Sequence, residues 1–305
     1  MTRFILRRLA EFIPVTFLII TFTFFLVRLV PGGPFDSEKQ VAPEAKKRIE
    51  AFYRLDRPLL TQYTDYLKGV MCLDLGPSFK QPIRTVRQWI AIRLPVSIEL
   101  GVYALGFALL LGLGAGLLAA YRPNSWLDHA PMGLAMTGIC VPNFVLGPLL
   151  VLVFALWLDW VPVSGWRIPS AKILPSITLG AAYAAYIARL TRGGMMEILS
   201  QDFIRTARAK GLGEAAVVLK HGLRGGIQPV TAFLGPAAAG LLTGSFAVET
   251  IFQVPGLGRE FVQAAFNRDY TMISGTVLVY ALLVMLLNLV ADVAIAWLDP
   301  RIRNQ

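Results

Sequence analysis

Long uncharged runs alternate with short polar stretches along this chain, and that pattern sets the first expectations. The runs are Phe12–Val27, Leu100–Tyr121, Ala130–Leu158, Ile173–Ala188, Gly225–Val248 and Tyr270–Ala291. At the rise of an α-helix, a run of 22 residues covers about 33 Å, enough for the ~30 Å hydrocarbon layer of a bilayer. The two shortest runs need flanking residues: Leu9 and Ala10 extend the first, and Lys172 and Arg189 can snorkel beside the fourth. The third run is long enough for a tilted or broken helix, with Pro142 and Pro148 as break points. The pattern predicts an all-α polytopic membrane protein with six transmembrane helices.

Composition agrees with that reading. Hydrophobic side chains make up 55% of the 305 residues and charged ones 16%, well below the roughly 25% of a soluble domain. The net charge of +10 is spread over several loops rather than one face, so it reads as membrane topology and excludes a nucleic-acid partner. Arg7-Arg8 before the first run, with no small-x-small site after it, predicts an uncleaved first helix. An even span count places both termini on one side. That side collects Arg3, Arg7, Arg8, Arg122, the basic stretch 189–224, Arg301 and Arg303, so both termini are expected in the cytoplasm.

Residues 1–30 then form the amino terminus and first span, 31–97 a small extracytoplasmic cap, 98–298 the core of helices two to six, and 299–305 a cytoplasmic tail. Within the cap, residues 43–53 read as an amphipathic helix with Ile49, Phe52 and Tyr53 on one face. Gly112-x-x-x-Gly116 and Gly240-x-x-x-Gly244 are placed for close helix packing. Acids lie near span ends: Glu11 and Asp292 suit pairing with an arginine at headgroup level. Glu249, beside the turn Ile251–Gly256, suits either pairing with a nearby arginine at the interface or an outer gate or solute path, for which Asn143 and Phe144 are further candidates by span position.

Catalytic chemistry is sparse. His129 and His221 lack a ligand or nucleophile at motif spacing, and Ser245 has no intramembrane histidine to activate it. Cys72 and Cys140 have neither metal spacing nor a reason to form a disulfide. No Gly-x-x-x-x-Gly-Lys-Ser/Thr is present, so ATP, if it powers this protein, must be bound by another subunit. No catalytic residue, metal ligand or cofactor is assigned to this chain. The alternative to an ATP-driven subunit is a self-contained channel or secondary carrier, which the lack of mid-span charge disfavours.

The most specific stretch lies between the fourth and fifth runs. Asp202-Phe203-Ile204-Arg205-Thr206-Ala207-Arg208-Ala209-Lys210-Gly211-Leu212 is a short, basic, alanine-rich segment of good helix formers, with Gly211 and Gly213 suited to a helix end. A helix lying on lipid would want a broader apolar face than Phe203, Ile204 and Leu212 supply, so docking on a protein is the better reading. Arg205, Arg208 and Lys210 can meet acids on a partner, and Ala207 and Ala209 permit close approach.

Here the chain resembles the membrane subunits of bacterial ABC importers, whose EAA motif matches at Ala207, Gly211 and Leu223 and departs at Arg205, Thr206, His221 and Arg224. Arg205–Leu212 looks like the variant of the oligopeptide and dipeptide permease branch. Leu29–Asp36, Met132–Gly138, Pro255–Gly258, Asn267–Tyr270 and Asp299–Arg303 resemble the B-type subunits of that branch, in order along nearly the whole chain. The resemblance implies a permease subunit in the bacterial inner membrane that moves peptide by alternating access. The helix at about 201–212 is then a cytoplasmic coupling helix, with Asp202, Arg205, Thr206, Ala207, Arg208, Ala209, Lys210, Gly211 and Leu212 as ATPase contacts. The implied partners are a second homologous permease subunit, two cytoplasmic ATPase subunits holding ATP and Mg, an extracytoplasmic solute-binding protein, the peptide and the lipid bilayer.

Overall fold

A computed structural model of the chain describes residues 2–35 and 43–298. Asp36 and the stretch Asp299–Arg303 of the resemblance, with the whole tail 299–305, lie outside the described residues, as does the side chain of Arg3. Among the described residues the fold is helical; its one β-bridge pairs Pro77 with Thr85. Five helical stretches are long and apolar enough to cross a membrane: Ile5–Leu29, Val86–Tyr121, Pro169–Leu199, Gln228–Ile251 and Tyr270–Val293. The third run forms a pair, Trp126–Cys140 and Asn143–Trp157, bent by 115°, which makes a sixth span if the pair crosses as one.

The chain folds as two compact units, Met1–Ser97 with Pro255–Leu286, and Ile98–Val254 with Leu287–Gln305. The first unit holds α1 (Thr2–Leu29), α2 (Pro43–Phe52), α3 (Leu59–Met71), the start of α4 (Val86–Tyr121), α13 (Leu257–Phe266) and most of α14 (Tyr270–Leu298). Its polar organiser is Asp269, which precedes α14 and accepts from the Met272 N–H at 3.1 Å, an N-cap bond that satisfies an orphan donor. The same carboxylate accepts from the Ser78 hydroxyl and the Lys80 N–H, tying the segment before α4 to the head of α14. One apolar cluster joins Val27, Phe35, Phe79 and Tyr270, with Ile49 and Tyr53 of the amphipathic stretch packed on it. Phe52 departs from the expected face: it is 75% exposed, because α2 ends there and Tyr53 follows in a turn.

The second unit holds the rest of α4, then α5 (Trp126–Cys140), α6 (Asn143–Leu150) and α7 (Ile173–Leu199). It continues through α8 (Asp202–Ala209), α9 (Glu214–Ala216), α10 (Leu223–Gly226), α11 (Gln228–Leu242) and α12 (Phe246–Ile251). Glycine sets the spacing of α4 on α7. A Cβ at Gly112 would stand 2.7 Å from the Ala184 carbonyl oxygen, and one at Gly116 2.6 Å from that of Ala188. These contacts are the close approach that the small-residue spacing requires where lipid supplies no hydrophobic drive.

The second glycine pair divides its work. Gly240 makes room for the Tyr183 hydroxyl, whereas Gly244, at φ +76°, ends α11 in the left-handed region. Ser245 then caps α12 by accepting from the Val248 N–H at 3.3 Å, so the fifth run is a broken helix rather than a continuous one. Pro142 supplies the break in the third run, where Val141 is extended and α6 begins. Pro148 breaks nothing. It sits inside α6, and a π-helical turn, Val151–Trp157, follows it.

Candidate functional site

The basic segment folds as α8, and its ends explain why it is rigid. Lys210 is the C-cap and Gly211 follows at φ +79°. The Leu212 N–H donates to the Ala207 carbonyl at 3.4 Å and the Gly211 N–H to that of Arg208 at 2.9 Å, a Schellman closure that only a residue tolerant of positive φ completes. Gly213 does not share that role; it lies at φ −63° and opens α9. Asp202 in the first turn faces the positive end of the helix dipole.

The surroundings of α8 are less loop-like than the polar pattern suggests. The apolar run ends at Ala188, yet α7 continues as helix to Leu199, and α9, a π-helical turn Val217–Gly222 and α10 follow α8 almost without pause. Arg192, Gly193 and Gly194 therefore lie on a helix. Close packing of α10 on α7 holds this extension: a Cβ on Gly194 would stand 2.2 Å from the Gly226 carbonyl oxygen.

One face of α8 is turned to its own chain. Ile204 and Ala207 are buried with Val217, and Leu199 packs against them. Ala207, expected among the partner contacts, is buried here against its own chain, and of the two alanines Ala209 is the one left exposed. The exposed residues are Asp202, Phe203, Arg205, Thr206, Arg208, Ala209, Lys210, Gly211 and Leu212. Two of the three cations already hold carboxylates. Arg205 bonds Asp202 at 3.2 Å, and Arg208 makes a fork onto Glu214 at 3.0 and 2.6 Å. Hydrogen bonding from Arg208 holds the Glu214 carboxyl below its ordinary range, against the opposing effect of desolvation. Thr206 spends its hydroxyl on the Asp202 carbonyl, 3.1 Å away.

The suggested solute-path residues are dispersed in exposure. Asn143 is half-buried at the start of α6, Phe144 is 64% exposed, and Glu249 is fully buried in α12. Their helices do pack together: a Cβ at Gly147 would lie 3.2 Å from the Phe252 ring.

Among the ion pairs that sequence reasoning missed, three tie together parts of the chain far apart in sequence. Arg192 forks onto the buried Asp128 at 2.7 and 2.8 Å, and Asp128 also accepts from the Asn124 N–H, which joins the head of α5 to α7. Lys172, expected to snorkel, pairs with Glu99, which also accepts from Trp166 Nε1 at 2.9 Å. Arg93 pairs with Glu260 at 2.8 Å in the first unit. Arg7 and Arg8 flank Glu11 at 3.4 and 3.8 Å, as the arginine pairing of that acid anticipates. Cys72 and Cys140 are free and exposed, and no cluster of three metal-ligating side chains occurs among the described residues.

Two family models match the chain. Residues 112–304 fit the model of the binding-protein-dependent transport system inner membrane component, and residues 1–101 fit that of its amino-terminal part. The oligopeptide transport system permease protein OppB of Haemophilus influenzae is 46% identical over 305 residues, covering 99% of this chain and 100% of the relative. OppB of Escherichia coli K12 matches at the same identity and coverage. The dipeptide transport system permease protein DppB of Bacillus subtilis is 42% identical over 303 residues, covering 99% of this chain and 98% of the relative. Among solved structures, an amino acid ABC transporter with histidines aligns with a TM-score of 0.53 at 17% identity, over 70% of this chain and 94% of that one. That last likeness concerns the fold alone.

Proposed function

Because the chain belongs to the family of inner membrane components of binding-protein-dependent transport systems, we propose that it is the permease subunit of an ATP-driven peptide importer. It forms half of the translocation pathway, and a second homologous permease subunit forms the other half. Two cytoplasmic ATPase subunits bind ATP and Mg and hydrolyse the nucleotide, and an extracytoplasmic solute-binding protein delivers the peptide. Both termini and α8 face the cytoplasm in this reading, which the concentration of arginine and lysine at 189–224 supports.

The observation that carries the proposal is the construction of α8. It is closed at its carboxyl end by Gly211, seated through Ile204 and Ala207 on its own helices, and presents Phe203, Arg205, Thr206, Ala209, Lys210 and Leu212 outward. A force applied to that face reaches α7 and α10 through packed side chains rather than through a slack loop, which is what a coupling element requires. Closure of the ATPase pair would then shift the long helices between inward-facing and outward-facing states. Asn143, Phe144 and Glu249 are kept as pathway or gate candidates that would change their exposure between the two states.

The test is a cysteine in place of Ala209, in an assembled complex whose native cysteines are replaced. A bifunctional thiol reagent should join it to an ATPase subunit in an ATP-dependent manner, and Ala209→Arg should abolish the coupling of ATP turnover to uptake while the complex still assembles. Absence of any crosslink during turnover, with normal uptake by Ala209→Arg, overturns the docking assignment.

A further inference from the structure

The first unit carries an open cavity of about 440 Å³ that has no part in coupling. Arg28, Tyr53, Arg54, Tyr66, Phe79 and Thr271 are among its lining residues. Its volume falls in the usual range for small-molecule sites.

Arg28, in the last turn of α1, is the chemically distinctive member. Its guanidinium carbon stands 3.6 Å from the centre of the Phe24 ring and 5.6 Å from that of Tyr270. Its hydrogen bonds go to neutral groups, the Phe24 carbonyl at 3.2 Å and the Gln62 side-chain oxygen at 3.4 Å. Among the described residues no carboxylate lies within ion-pair distance of it. A half-buried guanidinium that has surrendered part of its water and holds no counter-charge is a receptor for an anion.

The acids in the same wall do not answer that need. Asp65 is held by Arg57 at 3.2 Å, and Asp74 accepts from the Gly76 N–H at 3.0 Å. Arg54, at φ +58° in the turn after α2, adds a second cation with no acidic partner among the described residues. Tyr53, Tyr66 and Phe79 supply aromatic surface beside these charges, and burial keeps the Tyr66 phenol above its ordinary value, so it adds no negative charge. The cavity therefore offers two guanidinium groups and flat apolar walls.

We propose that this cavity binds the free α-carboxylate end of a peptide, with Arg28 as its principal ligand and Arg54 as an auxiliary one. The aromatic walls accept varied side chains without reading them, and the backbone terminus is the one feature all linear peptides share. This rests on the peptide-importer reading above. A guanidinium that only clamps α1 through its ring contacts would show no preference for a terminal carboxylate.

The experiment uses the assembled complex in lipid nanodiscs without the solute-binding protein. The probes are tritiated Ala-Ala-Phe, its carboxyl-terminal amide, and Ala-Glu-amide, whose single carboxylate is on a side chain. The free acid should bind about tenfold or more tighter than the amide, the scale of a lost charge-assisted bond. Arg28→Gln should erase that preference and Arg28→Lys should keep only part of it, since a point charge cannot fork onto a carboxylate. Equal binding of acid and amide, an undiminished preference in Arg28→Gln, or Ala-Glu-amide binding as tightly as the free acid each overturns the proposal. Should Arg28→Gln fail to assemble, Arg54→Gln is expected to cut the preference several-fold, and an unchanged preference there overturns it as well. Uptake by the same complex reconstituted into proteoliposomes, with binding protein and ATP, separates the two readings. Uptake of Ala-Ala-Phe without a binding preference sinks only this site, whereas no uptake of any peptide sinks the importer reading itself.

Discussion

Ala207 and Ala209 are two residues apart and do opposite jobs, because on a helix that spacing turns one side chain away from the other. The same logic governs Arg208, whose fork onto Glu214 closes the connector between α8 and α9. Both side chains are about two-fifths exposed, at 43% and 39%, so the pair contributes less than about 1 kcal/mol to holding the connector. Its pH dependence has a definite sign. The folded carboxyl lies below its usual 4.5, so the stabilisation is complete above that value and is lost as pH falls through the depressed one. A spin label at Leu212 should therefore keep constant mobility from neutral pH down to the ordinary 4.5 of a glutamate and loosen only at more acidic pH. Glu214→Gln should show the looser spectrum at neutral pH and no change on acidification; a wild-type transition near neutrality would contradict the assignment.

At the scale of elements, the neighbouring glycines Gly193 and Gly194 offer a direct comparison. Nothing stands within 4 Å of a Cβ built on Gly193, whereas one on Gly194 would press on the Gly226 backbone at 2.2 Å. Both positions lie inside α7, where alanine is the better helix former by about 1 kcal/mol. Gly193→Ala should thus leave the thermal unfolding midpoint unchanged or raise it. In Gly194→Ala the clash with backbone outweighs propensity, and a net loss of about 1–3 kcal/mol should lower the midpoint. Equal midpoints for the two variants would mean that α7 and α10 do not pack as described. This contact was hidden in the sequence, because Arg189 and Arg192 end the apolar pattern and make 189–199 read as loop. Hydropathy records which residues lipid tolerates; it does not record that Arg192 has a buried acid at Asp128 to meet.

For the whole molecule, the apolar runs disclosed the helices and the quoted motifs disclosed the family, because both are written locally in the chain. The helix α8 itself was legible for the same reason: Gly211 marks its end and the basic residues mark its exposed face. What remained hidden depends on residues far apart in sequence, such as Asp128 with Arg192, or Arg28 above Phe24 and Tyr270. The bent pair α5–α6 carries the largest consequence of this kind, since a 115° turn at Val141-Pro142 decides the parity of the chain. If the pair crosses, Arg122 and Arg167 lie on opposite sides of the bilayer and α8 shares a side with the amino terminus. If it re-enters, both lie on one side and α8 faces away from that terminus. A basic connector at 189–224 on the translocated side would oppose the charge bias that orients membrane helices, so crossing is the expected outcome. With Cys72 and Cys140 replaced, an impermeant maleimide applied to intact cells should label Arg167→Cys at once. Arg122→Cys should react only after permeabilisation, and labelling of both from outside would reverse the side on which every contact of α8 has been placed.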